Sequence, residues 1–170
     1  MTISLRAVEP EDLEYFYRWE NDRNIWQVSN TLVPFSRYQL RQYIESDPSN
    51  IFAHQQLRMM IASDDNKQTL GTIDLFDYDP VHQRAGIGIL IASPADRGKG
   101  FAGEALQLMS EYGKNTLYLH QLYCNISSKN TASIHLFEKA GFKTAGIKKD
   151  WLRTGDGWDD EIIMQRLLND

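Results

Sequence analysis

Ser93-Pro94-Ala95-Asp96-Arg97-Gly98-Lys99-Gly100-Phe101-Ala102-Gly103-Glu104-Ala105 follows an apolar run and leads into a stretch with helical spacing. Gly98 and Gly100 open backbone conformations closed to residues with a Cβ, so successive N–H groups can converge on an anion. Phe101, Ala105, Leu108, Met109 and Tyr112 recur at helical intervals, which predicts a helix over 101–115 with one apolar face on a core. A helix start directly behind the glycines adds unpaired amides and roughly half a positive charge. The stretch reads as a phosphate cradle held from behind.

Context decides which phosphate ligand it suits. Gly98, Gly100 and Gly103 satisfy G-x-G-x-x-G, but a dinucleotide fold wants an acidic residue about 20 positions on. Leu122-Tyr123-Cys124-Asn125-Ile126 holds no carboxylate. A nucleoside-triphosphate loop needs Ser or Thr after its lysine, and Lys99 is followed by Gly100. A diphosphate site of another kind remains.

Arg97-Gly98-Lys99-Gly100-Phe101-Ala102 resembles the Arg/Gln-x-x-Gly-x-Gly/Ala acyl-CoA motif of the GNAT N-acetyltransferases. Downstream, Asn130-Thr131-Ala132-Ser133-Ile134-His135-Leu136-Phe137-Glu138-Lys139-Ala140-Gly141-Phe142 resembles that family's second signature, Asn-x-x-Ser/Ala, a short helix, then Gly-Phe. The two stand in the family's order and at its usual separation. The resemblance extends over 5–168 and is nearest to the spermidine and ribosomal-protein N-acetyltransferase branch.

It implies acetyl-CoA as cosubstrate, with no metal. The diphosphate would rest on Arg97, Gly98, Lys99, Gly100, Phe101, Ala102 and Gly103, and the pantetheine arm would pair with backbone at Leu90, Ile91 and Ala92. Asn125, Asn130, Ser133, Phe137 and Lys139 would line the coenzyme further along. Capping is by itself a sufficient reason for Asn130, whose side chain can accept the N–H near Ser133.

The rest of the chain gives a mixed order of elements. Ile3, Leu5 and Ala7 alternate as a short strand that stops where Pro10 and two carboxylates start a helix. Asn21-Asp22-Arg23-Asn24 breaks that helix, an irregular stretch reaches Pro34, and a second helix covers 36–45. Strands are predicted over 57–63, 70–76, 83–92, 120–126, 142–147 and 158–167, with a helix over 130–140. This order, with the resemblance, gives one α+β domain over 1–170: a mixed, mostly antiparallel, twisted sheet of about seven strands, its central pair splayed, flanked by about four helices.

Composition narrows the function. A chain of 170 residues suits one core. A net charge of −5 with no basic run speaks against a nucleic-acid partner and suits a cationic substrate such as an amine. The single cysteine, Cys124, excludes an internal disulfide and fits a reducing, cytoplasmic compartment. No run approaches the about 20 apolar residues that span a bilayer, and the N-terminus lacks a signal-type apolar core. The resemblance allows a homodimer.

Acetyl transfer to an amine needs a deprotonated nucleophile, a donor for the carbonyl oxygen as it becomes negative, and a proton for the departing thiolate. An amide near Leu90 in the splayed strand is the natural oxygen donor. Asp74 and Asp77 are candidates for base or substrate anchor, and Asp79 joins them at the cleft, although all three also suit a solvated hairpin turn. Trp26 and Tyr38 are candidates for cation–π contact with the substrate. Gly86 in the strand marks a bulge or the close approach of a ligand.

Two departures from the spermidine-acetylating relatives stand out. They place a tyrosine in the second signature helix where this chain has Phe137, and an acidic pair near Thr31-Leu32-Val33-Pro34, which holds none. The expected activity is acetylation of a primary amine, most directly a small polyamine such as spermidine. A protein N-terminus or an antibiotic is the alternative acceptor, and a non-catalytic acyl-CoA-binding module is the alternative from another class.

Overall fold

Leu122, Cys124 and Ile126 alternate with Gln121, Tyr123 and Asn125, and that period of two puts the first three on one face of a strand. The computed structural model, which describes residues 2–29, 31–65 and 67–168 and only the backbone at Gln27 and Val28, bears this out: all three are buried. Asn66, inside the turn expected between two strands, lies outside the described residues.

Seven strands form one sheet: β1 (Ile3–Arg6), β2 (Leu57–Ser63), β3 (Thr69–Asp79), β4 (Arg84–Ile91), β5 (Gln121–Ser127), β6 (Lys143–Thr154) and β7 (Gly157–Leu167). Their order is β1-β2-β3-β4-β5-β7-β6, antiparallel except for β4 against β5. Among the described residues six α-helices accompany them: α1 (Leu13–Glu20), α2 (Arg23–Ser29), α3 (Arg37–Glu45), α4 (Ile51–His54), α5 (Phe101–Asn115) and α6 (Thr131–Lys139).

The expectation of about four helices missed α2 and α4. At Asp22 the residue taken as a break is a start: its carboxylate accepts the Asn24 N–H at 2.9 Å and its carbonyl the Ile25 N–H at 2.9 Å. Asn50 likewise opens the four-residue α4 by accepting the Ala53 N–H at 3.1 Å. Polar residues that end one helix can cap the next.

The sheet carries a core on each face. On one, Ile73, Leu75, Ala85, Ile87, Leu122 and Met164 meet Phe101, Ala105, Leu106 and Met109 of α5 and Phe137 of α6. On the other, Met60 of β2 packs with Phe16 of α1 and Leu40 of α3. Adjacent strand residues point to opposite faces, so α5 and α6 share one side and α1 and α3 the other.

Candidate active site

Parallel pairing between β4 and β5 stops early, at Arg84↔Gln121, Ala85↔Leu122 and Gly86↔Tyr123. Beyond it β4 stays with β3 as far as Gly71↔Ile91, while β5 follows β7 to Ser127↔Glu161. The two strands therefore part into a wedge whose apex is Gly86 and Tyr123.

Alternation decides which backbone groups face the wedge. The Ala92 N–H donates to Leu70 O at 3.0 Å, and Leu90 O lies where a Cβ on Gly71 would come within 1.8 Å of it. Even-numbered residues of β4 thus turn their N–H and C=O toward β3. Ile91 O points the other way and accepts from Arg97 Nε at 3.1 Å. Ile89 and Ile91 present their amides to the wedge, and Leu90 does not. The expected donor at Leu90 is corrected by one residue, because its N–H belongs to the β3 ladder.

At the open end of β4 the chain makes a short 3-10 turn, Pro94–Asp96, and then the glycine turn. Gly98 and Gly100 have φ of +76° and +91°, a region that costs any other residue about 1–2 kcal/mol. A Cβ on Gly98, Gly100 or Gly103 would meet nothing within 4 Å. Their surface is bare backbone, open to a ligand. The first bond inside α5 runs from Glu104 N–H to Gly100 O at 3.1 Å, which leaves the amides of Phe101, Ala102 and Gly103 ahead of the helical ladder. The turn fits a diphosphate in shape and in donor set.

Side chains around the turn divide by role. The Phe101 ring is buried in the core, so that residue offers the turn only its amide. Lys99 is exposed and pairs with Asp96 at 3.1 Å. Arg97 reaches back along the strand, its Nη2 donating to Ala92 O at 3.3 Å.

On α6, Asn130 caps the helix by accepting the Ser133 N–H at 3.2 Å. Lys139 is exposed in the last turn, and Asn125 is exposed on the β5 face away from α5. Phe137 is buried, with its ring edge-on to Phe142 at 5.0 Å. Its side chain belongs to the core, which corrects the expectation that it lines the coenzyme.

The opposite face of the sheet is built from side-chain pairs. Arg58 forks onto Asp74 at 2.7 and 3.0 Å and reaches Glu20 of α1 at 3.1 Å. Its guanidinium lies 5.5 Å from the ring centres of both Phe16 and Tyr43. Burial works against the charge on Arg58, but the two carboxylates outweigh it and hold the guanidinium charged more firmly than usual. Burial pushes the Tyr43 hydroxyl up to about 12. Asp74 is thereby corrected as a free base: both of its oxygens are engaged. Arg58 and Glu20 went unread in the sequence, although a lone charge inside Leu57-Arg58-Met59-Met60-Ile61 was the available sign.

Asp79 is also engaged. Its Oδ1 accepts the N–H groups of Val81 and His82 at 3.0 and 2.9 Å, and its Oδ2 faces Arg84 at 3.3 Å. The bond from His82 leads the causes that hold its carboxyl below the usual range. It shapes the β3–β4 turn, which corrects its reading as a substrate residue.

Asp77 remains exposed, at a bulge in β3 where φ is +49°. The bulge reverses the alternation, so the Phe76 side chain stays on this face while Tyr78 enters the core. Tyr123 donates its hydroxyl to Asp77 Oδ2 at 3.3 Å. Burial, and then the Asp77 charge, raise the Tyr123 pKa. The Phe76 ring lies edge-on to Tyr123 at 6.0 Å and covers Gly86, where a Cβ would come within 2.2 Å of it. The close approach read at Gly86 is therefore made by Phe76 and not by a ligand.

Of the two aromatic candidates, Trp26 sits beside the Arg58 network, its ring N–H donating to Glu20 O at 2.6 Å. Tyr38 is exposed on the side of α3 opposite the buried Leu40, with its hydroxyl accepting from Gln42. It faces away from the sheet.

A glycine turn, a helix start and a parted strand pair within one sheet suit an acyl-CoA enzyme, and comparison with known proteins agrees. Residues 2–143 match the model of the acetyltransferase (GNAT) domain. The chain belongs to the GNAT acetyltransferase family. It is 29% identical to spermidine N(1)-acetyltransferase of Escherichia coli (strain K12) over 146 residues, 85% of this chain and 75% of that one. It is also 29% identical to the Vibrio cholerae spermidine N(1)-acetyltransferase over 144 residues, 85% of this chain and 80% of that one. The crystal structure of spermidine N-acetyltransferase from Vibrio cholerae with CoA and spermine superimposes with a TM-score of 0.88 at 26% identity, covering 98% of this chain and 96% of that one. As a GNAT member the chain is an N-acetyltransferase, and the reading as a non-catalytic module is set aside. Among its described residues no helix is long and apolar enough to cross a membrane.

Proposed function

We propose that this GNAT enzyme transfers the acetyl group of acetyl-CoA to a primary amine of a small polyamine such as spermidine. One observation carries the reading: at the apex of the wedge the exposed carboxylate of Asp77 accepts from Tyr123 at 3.3 Å, below the point on β4 where the Ile89 amide faces the gap. The sheet face opposite α5 holds Asp74, Glu20, Asp77 and Asp79 against Arg58 and Arg84, an excess of negative charge that suits an ammonium ligand. Spermidine acetylation by relatives at 29% identity supports the same acceptor.

In this reading the coenzyme supplies an acetyl thioester, and the glycine turn and β4 edge hold it. The amine nitrogen bonds to the carbonyl carbon and the carbon–sulfur bond breaks. Asp77 takes the ammonium proton, directly or through water. The Ile89 N–H donates to the oxygen that gains charge. Tyr123 gives its hydroxyl proton to the thiolate as the carbon–sulfur bond breaks. It regains one from the nitrogen's second proton through Asp77, to which it is hydrogen-bonded, while the first ammonium proton passes from Asp77 to water. Alignment of the two reactants alone can lower the barrier by about 7–11 kcal/mol.

Thiol release measured over a panel of amines tests this. Spermidine is expected to release CoA well above the rate without acceptor, ahead of N-terminal peptides and aminoglycosides. Release no faster with spermidine than with buffer, alongside turnover of a peptide or antibiotic, would move the acceptor to that class. A homodimer and a cytoplasmic location complete the proposal, the former checked by sedimentation.

A further inference from the structure

The wedge edge of β4 is not wholly free. Ile91 O points into it, and Arg97 Nε donates to that oxygen at 3.1 Å while Nη2 donates to Ala92 O at 3.3 Å. These acceptors close the strand at the point where the glycine turn begins, and Arg97 is the residue immediately before Gly98. Its guanidinium therefore lies between two kinds of oxygen: the strand carbonyls behind it and whatever anion the open amides of the turn attract.

The two are not equal partners. A neutral carbonyl holds a guanidinium by ordinary charge–dipole hydrogen bonds, whereas a diphosphate offers full negative charge and the paired oxygens that a planar fork matches. Among the described residues no carboxylate pairs with Arg97; the nearest acid in sequence, Asp96, pairs with Lys99 at 3.1 Å. Arg97 is exposed, so swinging it outward disturbs little packing.

Resting on the coenzyme reading above, we propose that Arg97 is a specificity residue that makes the diphosphate a condition for entry to the wedge. The guanidinium occupies Ile91 O, the carbonyl that an amide N–H of the pantetheine arm would take. A ligand carrying a diphosphate draws it off to the turn and so frees the strand edge for its own arm. A pantetheine-bearing molecule without the diphosphate must displace the guanidinium unaided. The enzyme thereby favours the whole coenzyme over shorter thiols that share its reactive end.

The proposal makes the two ends of the ligand respond oppositely to one substitution. Calorimetry on the full chain would use CoA and the neutral fragment pantetheine, with Arg97→Ala and Arg97→Gln, the latter retaining a donor for Ile91 O without the charge. Arg97→Ala is expected to weaken CoA roughly 10-fold while pantetheine binds about 3- to 5-fold more tightly, the scale of one net hydrogen bond. Arg97→Gln is expected to weaken CoA and leave pantetheine near the wild-type affinity. Unchanged or weaker pantetheine binding in Arg97→Ala, while wild type binds CoA, overturns the proposal alone. No CoA binding by wild type removes the coenzyme reading with it. Thermal unfolding of each variant separates a folding defect from either result, and Arg97→Gln keeps the comparison alive if Arg97→Ala fails to fold.

Discussion

The two faces of this sheet meet the reaction with different materials. On the side of the wedge and α5 the contacts are backbone: Ile89 and Ile91 amides, a turn with φ of +76° and +91° at its glycines, and the first amides of α5. On the other side they are side chains in pairs: Arg58 with Asp74 and Glu20, Asp79 with Arg84, Tyr123 with Asp77. A backbone site recognises what every acyl-CoA shares and tolerates drift in most side chains. A paired side-chain site recognises one acceptor, and a change of one partner alters the charge the other presents.

The largest expected effect strikes the backbone side. Gly100→Glu puts a carboxylate into an anion cradle at a left-handed position, so CoA affinity should fall at least about 100-fold, ~2.7 kcal/mol. Stability should fall by only about 1–2 kcal/mol, since a Cβ there meets no neighbour. Calorimetry and urea unfolding on the same variant read the two quantities. Unchanged CoA affinity would break the assignment of the cradle.

Next comes Arg58→Met on the paired side. It strands two carboxylates that are three-quarters buried, and breaking such a pair costs about 3 kcal/mol. Urea midpoints should register that loss while CoA affinity stays within about twofold. The reverse pattern, stable protein with weakened CoA, would show that the two faces are coupled through β4.

Asp77→Asn is expected to lower kcat/KM for the amine about 10- to 100-fold with CoA affinity unmoved. Asp79→Asn should instead loosen the β3–β4 turn and lower the urea midpoint slightly, with a smaller kinetic change. Equal kinetic losses from the two would mean that the carboxylates act as one field rather than in separate roles. Tyr123→Phe is expected to lie between them.

This division also explains what could be read from the residues alone. The helix over 101–115 and the strand over 57–63 were legible in their bounds, because apolar spacing and glycine position are local properties. The glycine turn was legible for the same reason. Leu90 was misplaced by one residue because the direction of an amide depends on register, and register depends on Gly71 and Leu70, some twenty positions away. Asp74 and Asp79 look like Asp77 in a sequence. Only contact shows that the first two are paired with arginines and the third with a tyrosine hydroxyl. Phe137 resembled a vacated tyrosine position until its burial against Phe142 made it a core residue.

Proton linkage gives the last comparison of the two faces and has no effect near neutral pH. Cys124, in the core beside α5, is raised by burial from 9.0 to about 12, and Tyr43, beside Arg58, is raised by burial from 10.0 to about 12. Each folded group holds its proton longer than the unfolded one. The stability each contributes is therefore complete below the unfolded value and is lost as pH climbs toward 12. The slope is ~1.4 kcal/mol per pH unit for each group while its unfolded form alone is ionised. Cys124→Ala should flatten the decline from about pH 9 upward, and Tyr43→Phe only from about pH 10. Urea midpoints at half-unit steps distinguish these onsets, and coincident onsets would mean that one of the two groups is solvated. Alkylation supplies a cross-check: a buried, neutral thiol at pH 8 should react with iodoacetamide only as fast as the fold opens. Faster labelling at that pH would show that the core beneath α5 is looser than its packing implies.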